Sequence, residues 1–249
     1  MTRGTPGPLS RGSGFRSIAH RGDPVAHWEN TLPGIASALT AGADLVEIDI
    51  KTTADGEVVL LHDDTLQRLW GDPRTITDVR SAELATIGDD DHRIPLLDQI
   101  LDVIGRSGAA LLIDMDDRRW AAPGLAVVSE AVGASRIRAD QICWCGRPDS
   151  LSIIRDADPD ARIFFSWDES DGSGGLPAES LISDLAPEVF NPHWPMITDA
   201  TIAWAAALGL SLSCWTVDDP ELMRNLLDRE LDAMITNRIG LLQELRRDQ

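Results

Sequence analysis

Residues 45–64 (LVEIDIKTTADGEVVLLHDD) concentrate the side chains whose types and spacing could support chemistry. In VEIDI the strand alternation places Glu47 and Asp49 on one face and three apolar side chains on the other. Two neighbouring carboxylates repel each other in a dry environment and are stabilised when a cation lies between them. After an Asp-Gly turn the chain returns through a second short strand, which is followed directly by His62 and Asp63. The stretch therefore predicts a metal-type carboxylate pair close to a titratable histidine.

The surrounding sequence alternates between strand-like and helix-like patterns, and this alternation indicates how those side chains are positioned. Short apolar runs precede amphipathic stretches, and Thr31 and Gly42 are suited to begin and end the first helix. About eight strands alternate with helices, which favours an α/β fold with a single (β/α)8 TIM barrel and a short β-hairpin after strand two. We expect residues 1–14 to be a disordered N-terminal lead and residues 15–249 to form the barrel domain.

Three segments carry more specific expectations. Residues 64–93 are polar and lack a periodic pattern, which predicts an irregular loop of the kind that serves as a lid or specificity element. The spacing of apolar residues predicts a helix over Ile94–Ile104 and a strand over Leu210–Val217.

In a (β/α)8 barrel the chemistry lies at the C-terminal ends of the strands. The residues predicted at those ends include His20, Glu47, Asp49, Asp114, Trp215 and Thr236.

Composition and apolar patterning limit the partners and the cellular setting that we expect for the protein. The formal net charge is −19, which disfavours a nucleic-acid backbone or an anionic membrane as the main partner. No apolar run approaches the ~18 residues of a spanning helix, so we expect no transmembrane segment and no secretory signal. Cys143, Cys145 and Cys214 are too few for a disulfide framework, so we expect buried thiols and a cytoplasmic setting.

Several blocks of the sequence resemble the glycerophosphodiester phosphodiesterase family. They are AHRG (19–22), ENT (29–31), GADLVEIDIKTTADG (42–56), HD (62–63), IPLLDQIL (94–101), CWTVDD (214–219) and LDAMITNRIGLL (231–242). The first four are the most specific, because their order and spacing match the family pattern. The resemblance implies a (β/α)8 barrel, a divalent metal and a small-molecule phosphodiester substrate that is typically split into glycerol 3-phosphate and an alcohol.

The resemblance also implies roles for individual residues. By position, His20 and His62 resemble the general acid/base pair, and Glu47 and Asp49 resemble metal ligands. Arg21 resembles the phosphate-binding arginine. Histidines suit proton transfer because their unperturbed pKa lies near neutrality, and an arginine can donate two hydrogen bonds to one phosphate.

Other positions complete or modify this pattern. Glu29 and Asn30 resemble the polar shell of the pocket, whereas Trp215 suits either barrel packing or an apolar wall for the substrate. Asp114 stands where the family has a third metal ligand. Together with Glu47 and Asp49 it would give three hard oxygen ligands, a set typical of Mg²⁺ or Ca²⁺.

The main departure concerns a missing positive charge. The family usually has Glu-x-Lys at the end of strand three, and this sequence has Asp114-Met115-Asp116. Lys51 follows Glu47 and Asp49 at period two, so its ammonium could reach Asp116 or the phosphate. The alternative is an exposed lysine just past the strand end. Asn237 and Trp28 also replace residues that are usual in the family, an aspartate and a proline.

Three functions remain open on the sequence alone. The first is a metal-dependent phosphodiesterase with histidine acid/base catalysis. The second is a lyase-type cleavage in which a substrate hydroxyl attacks phosphorus and a cyclic phosphate is released. The third is a non-catalytic barrel that binds phosphodiesters, which the substitution at Asp116 brings into consideration.

Overall fold

Strands and helices alternate along the chain, as the apolar and amphipathic segments predict. The computed structural model describes residues 14–89 and 91–247, without the side chains of residues 172 and 173. Apart from Gly14, the expected N-terminal lead lies outside the described residues. No helix in the described ranges is long and apolar enough to cross a membrane.

The described strands and helices have the following bounds. The strands are β1 (Arg16–Ala19), β2 (Leu45–Thr52), β3 (Val58–Leu60), β4 (Ala110–Met115), β5 (Ile142–Gly146), β6 (Ile163–Trp167), β7 (Val189–Pro192), β8 (Ser211–Leu212) and β9 (Ala233–Thr236). The α-helices are α1 (Leu32–Ala41), α2 (Gln67–Trp70), α3 (Leu97–Gly105), α4 (Ala121–Gly133), α5 (Pro148–Ala157), α6 (Glu179–Leu185), α7 (Asp199–Ala207), α8 (Pro220–Leu227) and α9 (Ile239–Arg247).

Eight parallel strands form a nearly closed barrel. Their order is β8-β7-β6-β5-β4-β2-β1-β9. Backbone hydrogen bonds join the two ends of this sheet, because Ile235 N donates to Cys214 O (2.9 Å) and Val217 N donates to Ile235 O (3.0 Å). The (β/α)8 TIM barrel is therefore confirmed. The additional strand β3 pairs antiparallel with β2, so the predicted hairpin is confirmed as well.

Two apolar layers hold the barrel together. Side chains from alternate strand positions, including Ile18, Leu45, Leu112 and Phe164, fill the barrel interior. A larger layer packs the outer faces of the strands against the helices. Because side chains alternate along a strand, the residues that follow the interior positions toward the C-terminal ends also point inward. This parity turns the carboxylates of β2 into the mouth of the barrel.

The segment after the hairpin is more ordered than expected. It contains α2 and two 3₁₀ helices, Ile76–Asp78 and Ser81–Thr86. Apolar residues that are scattered through the polar sequence, such as Leu66 and Val79, pack with Val59 of β3 into a small separate core. The prediction of an irregular loop was therefore wrong for the parts of this segment that form these three helices. The apolar residues have neither a helical nor a strand period, so the pattern did not reveal them.

Two predicted element boundaries also change. Helix α3 begins at Leu97 and not at Ile94, because Leu60 N donates to Pro95 O (3.0 Å) and residues 94–96 lie extended along β3. Strand β8 covers only Ser211–Leu212 of the expected Leu210–Val217. Part of the ladder is replaced by a side chain, since the Asp232 carboxylate accepts from Leu212 N (2.9 Å).

Candidate active site

Three carboxylates converge at the C-terminal end of the barrel strands. Glu47 and Asp49 follow the interior Leu45 on the same face of β2, and Asp114 lies near the end of β4. The strand register places Asp49 directly beside Asp114. One oxygen from each carboxylate lies within 4.8 Å of the other two. Three oxygen donors at this spacing suit a hard divalent cation.

The crowding of negative charge makes these carboxylates difficult to ionise together. Burial, followed by the charges of Asp49 and Asp114, raises the pKa of Glu47 well above its usual range. Burial and then the charge of Asp49 raise the pKa of Asp114 to about 7. Asp114 Oδ1 is buried and has no hydrogen-bond partner among the described residues. A cation within reach of that oxygen would offset the repulsion between the carboxylates and would give the buried oxygen a partner.

His20, directly after β1, is held in one orientation by two side chains from the far end of the sequence. Its Nδ1 lies 2.7 Å from Asn237 Oδ1, and Asn237 Nδ2 donates to Asp218 Oδ2 at 2.6 Å. The NH2 group of the Asn237 side chain faces Asp218, so its carbonyl oxygen faces His20. The Nδ1 of His20 is therefore the donor in this hydrogen bond. The other ring nitrogen lies 3.9 Å from Glu47 Oε2. Burial and the charge of Arg21 lower the pKa of His20.

Arg21 contributes both its backbone and its side chain. Its φ of 55° is unusual for a residue with a Cβ, and its backbone nitrogen donates to Glu47 Oε2 at 2.8 Å. In the side chain, Nη1 donates to Glu29 Oε1 at 3.0 Å and Nε lies 3.1 Å from Asp49 Oδ2. The guanidinium is therefore fixed beside the carboxylate cluster, with Glu29 behind it.

Asn30 acts on a carboxylate and does not reach the cavity. It is buried, its Nδ2 donates to Asp49 Oδ2 (2.7 Å), and its Oδ1 accepts from Asp49 N (3.2 Å). The next residue, Thr31, begins α1 by accepting a hydrogen bond from Gly34 N (3.3 Å), as the sequence predicts. The start of the first helix thereby anchors the residue that orients Asp49.

His62 follows the hairpin and is paired with its neighbour. Its Nδ1 lies 2.7 Å from Asp63 Oδ1, and 44% of its side chain is exposed. The hydrogen bond from Arg68, with help from His62, lowers the pKa of Asp63 to about 2. Asp63 is therefore a carboxylate that accepts from the Nδ1 of His62, which leaves the other ring nitrogen available.

These groups surround one cavity of about 320 Å³. Seven of the ten predicted site residues line it: His20, Arg21, Glu47, Asp49, His62, Asp114 and Trp215. The other three, Glu29, Asn30 and Lys51, contact lining residues instead. Trp215 also packs against the apolar layer inside the barrel, and its Nε1 donates to Asn191 O (2.9 Å). Both alternatives stated for this tryptophan, packing and a wall of the cavity, are therefore met by one side chain.

Comparison with known proteins identifies the family of this chain. A model of the glycerophosphoryl diester phosphodiesterase family matches residues 20–241. The chain belongs to this family. It is 25% identical over 249 residues to the glycerophosphodiester phosphodiesterase GDPD4 of Arabidopsis thaliana, covering 92% of this chain and 73% of the relative. It is 24% identical over 229 residues to the glycerophosphodiester phosphodiesterase of Caldanaerobacter subterraneus subsp. tengcongensis, covering 88% and 93%. As a member of the glycerophosphoryl diester phosphodiesterase family, it is an enzyme that hydrolyses phosphodiesters.

Two solved structures of related proteins share the barrel. One is a phosphodiesterase of Oleispira antarctica in complex with the product sn-glycerol-3-phosphate, with a TM-score of 0.82, 20% identity and coverage of 93% of this chain and 96% of that one. The other is the glycerophosphodiester phosphodiesterase of Thermotoga maritima, with a TM-score of 0.76, 23% identity and coverage of 93% and 98%. At these identities the likeness establishes the fold.

Asp116, which stands where the resemblance implies a lysine, forms an ion pair in this chain. The Nζ of Lys51 lies 2.6 Å from Asp116 Oδ2 and 3.1 Å from Asp64 Oδ1, and Trp120 Nε1 donates to Asp116 Oδ1 at 2.9 Å. The Lys51 side chain is only 2% exposed. The alternative of an exposed lysine beyond the strand is therefore wrong, and Lys51 neutralises Asp116 from the neighbouring strand.

Several residues of this family member escaped the sequence reasoning. Arg147, directly after β5, lines the cavity, and no ion-pair partner for its side chain is described. Its place after a barrel strand was a usable signal. Asp218 is part of a block that resembles the family, but only the structure shows its contact with Asn237. Arg68 lies in the segment without a periodic pattern and had no positional signal.

Proposed function

We propose that the chain is a divalent-metal-dependent phosphodiesterase that cleaves a glycerophosphodiester or a related small phosphodiester, with His20 and His62 as the acid/base pair. The observation that carries this proposal is the convergence of three carboxylates, two oriented histidines and an arginine on one cavity. The related Oleispira antarctica enzyme, which was solved with sn-glycerol-3-phosphate, supports a glycerol-based substrate.

The carboxylate cluster suits one Mg²⁺ or Ca²⁺. Glu47, Asp49 and Asp114 would hold it, because all three offer oxygen atoms and Asp114 Oδ1 has no other described partner. When bound, such an ion neutralises phosphate charge and polarises the phosphoryl group. Asn30 and the backbone nitrogen of Arg21 fix the orientation of two of these carboxylates.

The two histidines perform the proton transfers. Each ring has its Nδ1 engaged, in His20 by Asn237 and in His62 by Asp63. The Nε2 of each ring is then the atom that accepts or donates a proton. One histidine takes a proton from the attacking water, and the other protonates the leaving alkoxide. Two rings on one cavity provide both transfers without a further titratable group.

Arginine side chains bind the anionic part of the substrate. Arg21 has its Nη1 and Nε beside carboxylates, whereas no described contact occupies its Nη2. Arg147 adds a cation on the cavity with no ion pair among the described residues. The charge of Lys51 is used by Asp116 and Asp64, so these two guanidinium groups provide the contact to phosphate in its place.

The compartment proposed for this reaction is the cytoplasm. All three cysteines are buried free thiols. Their number and state suit a reducing environment.

Phosphorus NMR of the reaction with glycerophosphocholine and Mg²⁺ or Ca²⁺ tests the proposal. A hydrolase gives glycerol 3-phosphate and choline, so the phosphodiester resonance is replaced by that of a phosphate monoester. Release of a cyclic glycerophosphate would favour the lyase-type alternative. No turnover of any phosphodiester, together with retained binding, would favour the non-catalytic alternative.

A further inference from the structure

Arg68 of helix α2 joins two carboxylates that contact different residues of the site. Its Nε and Nη2 donate to the two oxygens of Asp63 at 2.6 and 3.1 Å. Its Nη1 and Nη2 donate to the two oxygens of Glu29 at 3.0 and 2.6 Å. One guanidinium therefore makes a two-bond contact with each carboxylate, which is the geometry that fixes planar groups most strictly.

Each of these carboxylates in turn holds a residue that lines the cavity. Asp63 Oδ1 accepts from the Nδ1 of His62 at 2.7 Å. Glu29 Oε1 accepts from the Nη1 of Arg21 at 3.0 Å. Arg68 itself does not line the cavity. A single carboxylate therefore separates Arg68 from His62 on one side and from Arg21 on the other.

We propose that Arg68 is a positioning residue for the proposed phosphodiesterase reaction, on which this inference rests. It holds Asp63 and Glu29 in fixed planes, and through them it orients His62 and Arg21 relative to one another. The small apolar core of the segment after the hairpin holds α2 in place, and α2 carries Arg68 to both carboxylates.

The geometry separates this role from a contribution to stability. The side chain of Arg68 is 46% exposed, and ion pairs of that exposure contribute little to folding stability. Misplacing a reacting group by about 1 Å can cost about 100-fold in rate. Loss of Arg68 therefore changes the rate much more than it changes the melting temperature.

A matched control lies in the same segment. Arg74 also pairs with two carboxylates, Asp72 and Glu83, through close hydrogen bonds, and its side chain is 41% exposed. None of its described contacts is with a residue that lines the cavity. Arg74→Ala removes an equivalent surface ion-pair network without touching the site.

The first experiment compares kcat and KM of Arg68→Ala, Arg68→Lys and Arg74→Ala with those of the wild type. We expect kcat/KM to fall about 10- to 100-fold in Arg68→Ala, with a melting temperature close to that of Arg74→Ala, which keeps full activity. Arg68→Lys should not restore the rate, because an ammonium cannot form two planar two-bond contacts. Wild-type rates in Arg68→Ala, or full rescue by lysine, would overturn the proposal.

A second readout does not need turnover. The ¹⁵N resonances of the His62 ring report which nitrogen carries the proton. We expect one tautomer, protonated at Nδ1, in the wild type and in Arg74→Ala, and a mixture of tautomers in Arg68→Ala. Unchanged His62 resonances in Arg68→Ala would contradict the positioning role. If the wild type cleaves no phosphodiester, the proposed function fails, and this spectrum still decides whether Arg68 orients His62.

Discussion

At the residue scale, the site brings three acidic groups together with little positive charge between them. The register of β2 and β4 places Asp49 beside Asp114, and Glu47 is buried next to both. Arg21 approaches this cluster from one side and is shared with Glu29. The polypeptide alone leaves Asp114 Oδ1 without a described partner. A divalent cation completes the cluster in the account proposed here.

The histidines give the first prediction at this scale. His20→Ala and His62→Ala should each lower kcat by about 10²- to 10⁴-fold, because each change removes one of the two proposed proton-transfer groups. His27→Ala is the matched control, since His27 is exposed and lies outside the cavity. Steady-state kinetics and thermal melting of the three variants provide the measurement. A variant that melts early without a specific loss of kcat would identify its histidine as structural.

The ion pair of Lys51 gives the second prediction. Lys51→Met leaves Asp116 without its partner at the edge of the cavity, so a negative charge faces the incoming phosphate and kcat/KM should fall at least about tenfold. Adding Asp116→Asn to the same chain removes that charge and should recover much of the loss, while Trp120 can still donate to the amide oxygen. Turnover by Lys51→Met at the wild-type rate would show that the charge of Lys51 is not needed.

Sequence reasoning reached the residues whose direction follows from strand parity. Glu47, Asp49 and Lys51 share a strand face, and the polar ends of successive strands predicted Asp114. It did not reach contacts that depend on where a loop returns. Arg68 is an example, because no period in the sequence indicates that its segment folds back over the barrel mouth.

At the element scale, the loop after β8 contacts the end of β9 through the side chain of Asp218. The Asp218 carboxylate accepts from Thr236 Oγ1 (3.1 Å), from Asn237 N (2.8 Å) and from Asn237 Nδ2 (2.6 Å). Asn237 then contacts His20 beyond β1. Closure of the barrel and orientation of His20 therefore depend on the same carboxylate.

Neighbouring aspartates in this loop give the third prediction. Asp218→Asn should lower kcat about tenfold or more, because an amide cannot accept all three hydrogen bonds and Asn237 loses its fixed orientation. Asp219→Ala should instead lower stability by about 0.5–2 kcal/mol and leave kcat unchanged, because Asp219 caps α8 through Glu221 N and Leu222 N. The comparison uses kcat and urea unfolding of both variants. Equal effects on kcat would contradict the separate roles.

The alternation of strands and helices was predictable, whereas the bounds of irregular elements were not. The hairpin and the first helix follow from local signals, namely an Asp-Gly turn and the residues Thr31 and Gly42. The shortening of β8 depends on a hydrogen bond between Asp232 and Leu212, which are 20 residues apart. Such a bond leaves no trace in a local pattern.

At the scale of the whole molecule, the carboxylate cluster links metal binding and pH to stability. In the metal-free folded chain Asp114 keeps its proton up to about pH 7, whereas in the unfolded chain it loses the proton near about pH 4. Between these values the folded state binds more protons. The contribution is fully present below the unfolded pKa, and it is lost as the pH rises through the folded pKa.

This linkage gives the fourth prediction. In the presence of a chelator, the free energy of unfolding should fall between about pH 4 and pH 7, by at most about 1.4 kcal/mol per pH unit from Asp114. Asp114→Asn should lack this part of the slope. Saturating Mg²⁺ or Ca²⁺ should stabilise the wild type near pH 7 by about 2.7 kcal/mol at 100 times the dissociation constant. An identical pH dependence in the wild type and Asp114→Asn would contradict the assignment of the proton.

The central claim is that a divalent cation held by Glu47, Asp49 and Asp114 is required for phosphodiester cleavage. The most direct test is to measure glycerophosphocholine cleavage by metal-free protein as Mg²⁺ or Ca²⁺ is added, with Asp49→Asn, Asp114→Asn and the cavity-lining control Asp171→Asn in parallel. We expect no turnover in chelator, saturable recovery with the ion, and a more than tenfold weaker metal response only in the first two variants. Full turnover in excess chelator, or an equal metal response in all three variants, would contradict the account.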